Sequence, residues 1–189
     1  MEYILIIELA ILIIMILIRS LMLRQNGINA IVFGNTDKTD YFLIPVVLCF
    51  FYALISPIFN LPLPLILKNT FWNIDILNYL AIFISTVSLI WFAITLKIFG
   101  NSFRVGIDEN TQDKLITTGT FALSRNPIYL AFITFFFAVF ISYPTIVTLI
   151  FLILLIIMIH RQILLEEKFL KNHYKEEYEE YLVNVRRYI

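Results

Sequence analysis

The hexapeptide Ser124-Arg125-Asn126-Pro127-Ile128-Tyr129 carries polar and charged side chains directly before a long apolar run. Pro127 suits the first turn of a helix, where its missing N–H costs nothing. Asn126 is well suited to the cap position before that helix. Polar groups at the start of a lipid-soluble helix mark a place where a membrane protein is expected to keep its chemistry, so this segment is the first candidate site.

A carboxylate near the C-terminus is the second candidate. The segment 145–189 contains no Gly or Pro, so the sequence predicts that one helix continues from the last apolar run into the cytoplasm. At about 100° per residue, Glu167 lies in the middle of an apolar, tyrosine-rich face, whereas Glu166 lies on the solvated face. Because an unpaired buried charge is expensive, Glu167 is expected either to pair with Lys171 in a structural role or to receive a polar or cationic ligand.

The composition indicates a membrane protein. Hydrophobic residues make up 60% of the 189 residues, charged residues make up only 15%, and the mean hydropathy is +0.87. Soluble domains are roughly half apolar and a quarter charged. The formal net charge of zero argues against a nucleic-acid partner, which would require a basic face. The single cysteine, Cys49, excludes a disulfide framework.

The apolar runs predict an all-α integral membrane fold with about five transmembrane helices. Three runs cover about 3–23, 41–59 and 74–99, and two more begin at Pro127 and Pro144. The Leu61-Pro62-Leu63-Pro64 stretch is expected to break the chain after the second run, because proline lacks a donor and clashes with the preceding turn.

The last two runs are predicted to form a tight antiparallel hairpin, because only Ser142-Tyr143 separates them. Asn126 would cap its first helix, and Ser142 or Tyr143 its second. The first of these helices, from Pro127 to Ser142, is only about 24 Å long, which is short for a hydrocarbon core of about 30 Å. Beyond the membrane, the fifth run is expected to continue as a cytoplasmic amphipathic helix.

Basic residues predict the orientation of the chain. Arg and Lys flank the 24–40 and 100–126 connections and follow the fifth run, whereas the opposite side offers only Lys68. These connections and the C-terminus are therefore expected in the cytoplasm, and the N-terminus outside. The small number of spans and the lack of an organellar address favour a prokaryotic cytoplasmic membrane. No small-xxx-small stripe is strong enough to indicate an oligomeric state.

Three segments of the C-terminal half together resemble one protein family. They are 100–108, then 115–121 continuing into the hexapeptide and Leu130, and finally 166–170 followed by Tyr178, Tyr181, Val185, Arg187 and Ile189. Over about the last 90 residues this pattern resembles the isoprenylcysteine carboxyl methyltransferase family of integral membrane enzymes, whose relatives include the phospholipid N-methyltransferases. Asn126 stands where that family usually has His, and Ala131 where it usually has Gly. Asn keeps a donor and an acceptor, but it cannot act as a base near neutral pH.

The resemblance implies that S-adenosylmethionine is the methyl donor. The helix start at Asn126 and the Arg125 guanidinium suit the donor's carboxylate. Glu167 would face the donor's amino group, Tyr129 points into the same region, and Gly119 permits a close backbone approach. The candidate cofactor-binding residues are Gly119, Arg125, Asn126, Tyr129, Glu166 and Glu167, and no metal site is expected.

The sequence leaves the methyl acceptor open. A carboxylate, as in an isoprenylcysteine-like substrate, is already a nucleophile and needs only a cation to place it, for which Arg104 and Arg161 are candidates. An amine or thiol must lose a proton, for which His160 or Glu167 is a candidate. The carboxylate acceptor is favoured. The alternatives are a phospholipid or small-molecule N- or S-methyltransferase and a non-catalytic membrane protein or carrier.

A lipophilic acceptor is expected to enter from the bilayer, and the donor from the cytoplasm. Residues 1–189 are predicted to form a single domain, in which 1–99 build the scaffold and the acceptor pocket and 100–189 bind the cofactor. A carrier usually places charged groups near the bilayer midplane. Here the acidic residues of interest are expected at or beyond the cytoplasmic interface, which favours an interfacial enzyme.

Overall fold

The computed structural model describes residues 2–25, 43–100 and 115–189, and its regular elements are helical throughout these ranges. The helices are α1 Glu2–Gln25, α2 Leu43–Ile55, α3 Leu65–Lys68, α4 Asp75–Phe99, a 3₁₀ turn Gly119–Ala122, α5 Pro127–Ser142, α6 Ile146–Tyr174 and α7 Glu176–Asn184. In these ranges the only β-type pairing is an isolated bridge between Thr70 and Thr145. The prediction of an all-α integral membrane fold is confirmed.

Three of these helices are long and apolar enough to cross a membrane, namely α1, α4 and α6. Two shorter apolar helices, α2 and α5, accompany them. The predicted bounds of α5 agree with the structure, with Pro127 at its first position. The second run ends earlier than predicted, because the chain turns after Ile55 and passes through Asn60 at φ 50° before the proline stretch.

The start of α6 differs from the prediction. Thr145, and not Ser142 or Tyr143, is the cap, and Pro144 precedes it. The Thr145 side chain accepts from the Thr148 N–H at 3.3 Å, and the Thr148 hydroxyl accepts from the Thr145 N–H at 3.1 Å. This reciprocal capping box satisfies two donors that the start of a helix would otherwise leave unpaired, so α6 begins at Ile146.

The predicted continuous C-terminal helix is wrong. It ends at Tyr174, because Lys175 adopts φ 47°, and α7 begins at Glu176. The break lets α7 bury its aromatic face, with Tyr178 and Tyr181 exposing only 1% and 6% of their surface. The Tyr181 hydroxyl donates to the Phe121 carbonyl at 2.6 Å. The prediction that the tyrosine-rich face packs on another part of the protein is therefore confirmed, and its partner is the 3₁₀ turn.

Hydrogen bonds between helices show how the helices run relative to one another. Along α4, the Ser88 hydroxyl donates to the Ala131 carbonyl at 2.6 Å and the Trp91 indole to the Pro127 carbonyl at 3.0 Å, so α4 and α5 are antiparallel. Arg19 of α1 donates to the carbonyl of Gly100, directly after α4. The last residues of α1 and α4 and the start of α5 therefore lie at one end of the bundle, which we call the site end.

Four aromatic rings from four helices fill the core between these contacts, namely Phe50, Phe92, Phe135 and Phe151. The rings of Phe50 and Phe151 stack with centroids 3.9 Å apart, which joins α2 to α6. Packed aromatic pairs of this kind contribute beyond their buried area. The core therefore fixes the helices that carry the polar groups of the site end.

Glu8 is a buried acid of α1. It lies inside the first membrane-spanning helix with only 8% of its surface exposed. The hydroxyls of Ser85 and Thr86 on α4 donate to its carboxylate, the second at 2.6 Å. Glu8, which was not among the acids considered from the sequence, therefore joins α1 to α4 within the bundle.

Candidate functional site

The 3₁₀ turn carries the hexapeptide to the end of α4. Gly119 has φ +64°, and a Cβ there would lie 2.5 Å from Cδ1 of Ile98. The hydroxyl of Thr95 donates to that of Thr120 at 3.1 Å, and the rings of Phe99 and Phe121 lie with centroids 5.0 Å apart. Gly119 thus permits a close approach, but the neighbour it meets is α4.

Arg125 connects the hexapeptide to α6, α7 and the strap. Its Nη2 donates to Oε1 of Glu167 at 3.0 Å, and its Nη1 donates to the carbonyls of Val185 at 2.6 Å and Leu182 at 3.3 Å. Its side chain exposes 10% of its surface. Its Nε is buried and has no hydrogen-bond partner in the part of the chain that the structure describes. Arg125 therefore retains one buried donor for an acceptor group.

Glu167 is paired with two guanidinium groups. Besides Arg125, Arg187 donates from Nη2 to Oε2 at 2.7 Å and from Nε to Oε1 and Oε2 at 3.0 and 3.2 Å. Lys171, the partner considered from the sequence, pairs instead with Glu179 at 3.1 Å. Two cations and one carboxylate give this cluster a formal charge of +1.

The residues 185–189 follow α7 and cross the hexapeptide; we call them the C-terminal strap. The Arg125 N–H donates to the Arg186 carbonyl at 3.0 Å. The Ser124 hydroxyl and the Asn126 Nδ2 donate to the Arg187 carbonyl at 3.3 and 3.1 Å. Asn126 is thus the cap residue of α5 by position, but its side chain makes no capping bond. The first turn of α5 keeps N–H groups that no side chain caps.

Tyr129 and Glu166 form a second polar group between α5 and α6. The Tyr129 hydroxyl donates to Oε1 of Glu166 at 2.5 Å, and Gln162 Nε2 donates to the same oxygen at 2.9 Å. The prediction that Glu166 lies on the solvated face is therefore wrong, because that side of α6 faces the first turn of α5. Both of these donors are neutral, in contrast to the two cations on Glu167.

The predicted catalytic residues are only partly placed at the site. His160 Nδ1 lies 2.8 Å from the Tyr188 hydroxyl, which connects this position of α6 to the strap. Arg161 follows His160 and is partly buried. Arg104 lies outside the described residues.

Outside the membrane-spanning helices, the surroundings raise the pKa values of Arg187, Tyr178 and Tyr181. The hydrogen bonds to Glu167 raise the pKa of Arg187. Burial, with the negative charge of Glu167, raises the pKa of Tyr178 to about 12, and burial raises that of Tyr181 as well. Near neutral pH the strap therefore presents a permanent cation, and α7 presents neutral phenols.

Three contributors to these contacts were not predicted, namely Gln162, Tyr188 and the pairing role of Arg187. Gln162 precedes Glu166 by four residues on a helix, a spacing that brings side chains together and would have found it. Arg187 and Tyr188 meet α6 across 20 and 28 residues of sequence. No local pattern indicates such contacts, because they depend on the break at Lys175.

The fold and the site define an all-α membrane protein with its polar cluster at one end of the helix bundle. A family model described as phospholipid methyltransferase matches residues 74–177, more than half of the chain. The protein belongs to this family, which is the family of isoprenylcysteine carboxyl methyltransferase-like membrane methyltransferases. The family relationship inferred from the sequence is therefore confirmed.

The matched segment contains α4, the 3₁₀ turn, the hexapeptide, α5 and all of α6; it ends at the start of α7, before the strap. The relationship identifies a membrane methyltransferase that acts on lipophilic substrates. No curated protein and no solved structure gives a significant match to the chain.

Proposed function

We propose that the protein transfers a methyl group from S-adenosylmethionine to a lipophilic acceptor, and that the donor binds at the site end between the hexapeptide and α6. The observation that carries the proposal is the convergence of Arg125, Asn126 and Glu167, within the segment that matches a methyltransferase family. When bound, S-adenosylmethionine supplies an electrophilic methyl group on a sulfonium.

The residues present suit the charged groups of this donor. Its carboxylate matches the unpartnered Nε of Arg125 and the uncapped first turn of α5, where N–H groups and the helix dipole favour an anion. Its ammonium group matches Glu167. Tyr129 and Gln162 hold Glu166 in one orientation, which keeps a second carboxylate available for a cationic group.

Methyl transfer from a sulfonium is an in-line displacement, so the chain contributes mainly alignment and the exclusion of water. The side chains of Tyr178 and Tyr181 on α7 are buried, and Tyr181 bonds to the 3₁₀ turn that precedes the hexapeptide. Arg125 and Glu167 are themselves fixed by several hydrogen bonds each, which limits their motion. These groups bind and orient; none of them has to form a covalent bond.

For the acceptor, we propose first the carboxylate of an isoprenylcysteine-like substrate. A carboxylate needs no base, and two candidate bases of the site already have hydrogen-bond partners: His160 bonds through Nδ1 to Tyr188, and Glu166 accepts from Tyr129. Arg104 or Arg161 would hold the carboxylate of the substrate in position. The cytoplasmic position of the site end and a prokaryotic membrane remain parts of this proposal.

A phospholipid amine is the second candidate, because the matching family model is described as phospholipid methyltransferase. An amine must lose a proton before or during transfer. His160 or Glu166 would accept it, the first after giving up its bond to Tyr188.

The first experiment measures binding of S-adenosylmethionine to the detergent-solubilised protein by calorimetry. Glu166→Gln keeps the shape of the side chain and removes the charge, so we expect roughly tenfold weaker binding, the size of a charge-assisted bond. Glu180→Gln, on the exposed side of α7, is the matched control and should bind normally. Absence of binding to the unmodified protein would overturn the proposed function.

The second experiment distinguishes the acceptors. Methyl-labelled donor is incubated with the protein and either a farnesylcysteine analogue or phosphatidylethanolamine vesicles. A carboxyl ester releases labelled methanol in base, whereas an N-methyl product does not. Base-stable label in the lipid fraction would overturn the carboxylate assignment and support the amine.

A further inference from the structure

The C-terminal strap occupies the groups that the proposed function assigns to the donor. The Arg187 side chain is bonded to Glu167, its carbonyl to Asn126, and the Val185 carbonyl to Arg125. A ligand that uses these groups must therefore displace part of the strap.

The contacts at Glu167 show what has to move. Its Oε1 accepts from Arg125 and Arg187, each at 3.0 Å, and its Oε2 accepts twice from Arg187, at 2.7 and 3.2 Å. A carboxylate offers about four lone-pair sites. Glu167 is therefore saturated, and an ammonium group can bind it only after one guanidinium leaves.

Burial identifies Arg187 as the guanidinium that leaves. The side chains of Arg125 and Glu167 expose 10% and 12% of their surfaces, whereas that of Arg187 exposes 36%. Removing one partner from a buried ion pair is costly, but a more exposed pair contributes little. Arg125 is also held by the carbonyls of Leu182 on α7 and Val185 in the strap. Departure of Arg187 leaves the buried Arg125–Glu167 pair in place and frees Oε2.

We propose that Arg187 is an internal competitor of the methyl donor, with its guanidinium occupying on Glu167 the place of the donor's ammonium group. This rests on the proposed function, because that function defines the donor's place. The exchange replaces one positive charge by another, so the charge of the cluster is conserved.

Two further observations support this role. Hydrogen bonding to Glu167 raises the pKa of Arg187, so loss of its proton does not release it near neutral pH, and a competing cation must do so. The strap also lies outside the family-matched segment 74–177. The competitor is therefore supplied by residues that follow the matched segment.

The test compares the affinity for S-adenosylmethionine of Arg187→Gln and Arg186→Gln with that of the unmodified protein. Arg187→Gln removes the competing charge, and we expect the dissociation constant to fall about fivefold, the value of a partly exposed ion pair. Arg186→Gln loses the same charge from an exposed neighbouring side chain and should leave the affinity unchanged. Arg187→Lys keeps the charge but not the two-pronged geometry, so we expect an intermediate value.

Hydrogen–deuterium exchange of peptides covering the strap gives a second readout. Exchange should increase in Arg187→Gln without ligand, and in the unmodified protein when S-adenosylmethionine is added. Equal or weaker donor binding in Arg187→Gln, with Arg186→Gln unchanged, would overturn the proposal and make Arg187 part of the binding surface. Absence of donor binding to both the unmodified protein and Arg187→Gln would instead overturn the proposed function. Thermal melting of each variant verifies that it is folded.

Discussion

Glu166 and Glu167 are neighbours in sequence, but their carboxylates have different partners. Glu167 accepts from two guanidinium groups, and Glu166 accepts from the Tyr129 phenol and the Gln162 amide. Successive residues on a helix point about 100° apart, so two adjacent acids can face two different neighbours. One lies against the hexapeptide and the strap, and the other against the first turn of α5.

The raised pKa of Tyr178 predicts how the stability of the protein depends on pH. Its pKa is raised to about 12 in the folded protein, compared with about 10 in an unfolded chain. The stability that this shift contributes is complete below about pH 10 and is lost as the pH rises through about 12. We expect the thermal midpoint to fall across this interval, and Tyr178→Phe to make the fall shallower.

The control for this prediction is Tyr3→Phe, because Tyr3 exposes 64% of its surface. It should leave the alkaline fall unchanged. A profile for Tyr178→Phe that follows the unmodified protein would contradict the assignment of the shift to Tyr178.

At the scale of elements, the break between α6 and α7 determines the composition of the site. Lys175 at φ 47° redirects the chain, α7 packs on the 3₁₀ turn through Tyr181, and the strap then reaches the hexapeptide. A straight helix would carry residues 175–189 away from the bundle. Much of the hydrogen bonding of the hexapeptide therefore depends on a turn that contains neither Gly nor Pro.

The 3₁₀ turn provides a prediction at this scale. Gly119→Ala introduces a side chain at φ +64°, which costs about 1–2 kcal/mol for an L-residue, and it also brings Cβ against Ile98. We expect a lower thermal midpoint and weaker donor binding, because the turn positions Arg125. Both are measured on the purified protein by melting and calorimetry.

Gly100→Ala is the matched control for Gly119→Ala. Gly100 also has a positive φ, of +52°, but a Cβ there meets nothing within 4 Å. The loss of stability in Gly100→Ala therefore reports backbone strain alone. If the Ile98 contact matters, Ile98→Val should recover part of the deficit of Gly119→Ala and none of that of Gly100→Ala.

At the scale of the whole molecule, the described parts of 1–73 lie outside the family-matched segment, and α1 is joined to that segment by polar bonds within the bundle. The Ser85 and Thr86 hydroxyls that donate to Glu8 also lie 2.9 and 2.8 Å from the carbonyls of Ala81 and Ile82. These hydroxyls have alternative acceptors on their own helix, whereas the Glu8 carboxylate has no other hydrogen-bond partner among the residues that the structure describes.

This asymmetry predicts that removing the Glu8 carboxylate and removing the Ser85 and Thr86 hydroxyls lower the stability of the protein by different amounts. Glu8→Ala should destabilise the protein by about 1 kcal/mol, the range of hydrogen bonds between membrane helices. Ser85→Ala with Thr86→Val should cost more, because a buried carboxylate then loses both donors. Thermal melting in detergent measures both, and Glu8→Gln should lie closest to the unmodified protein. A larger loss in Glu8→Ala than in the double variant would contradict this account.

The elements with a strong local signal were predictable from the sequence. The apolar length of α1 and α4, and Pro127 at the start of α5, gave bounds close to those observed. The start of α6 was missed because the capping box of Thr145 and Thr148 competes with the helix start that Pro144 suggests. The end of α6 was missed because a positive φ at a lysine has no sequence signature.

The sequence by itself determined the membrane class and the methyltransferase family, and it predicted Arg125 and Glu167 as site residues, because hydropathy, proline position and short motifs are local properties of the chain. Only the tertiary structure decided how the hexapeptide is used. It joins Arg125 to Glu167, turns the Asn126 side chain toward the strap, and places Arg187 on Glu167. These outcomes depend on where α7 and the strap pack, and packing across the chain is a property of the whole fold.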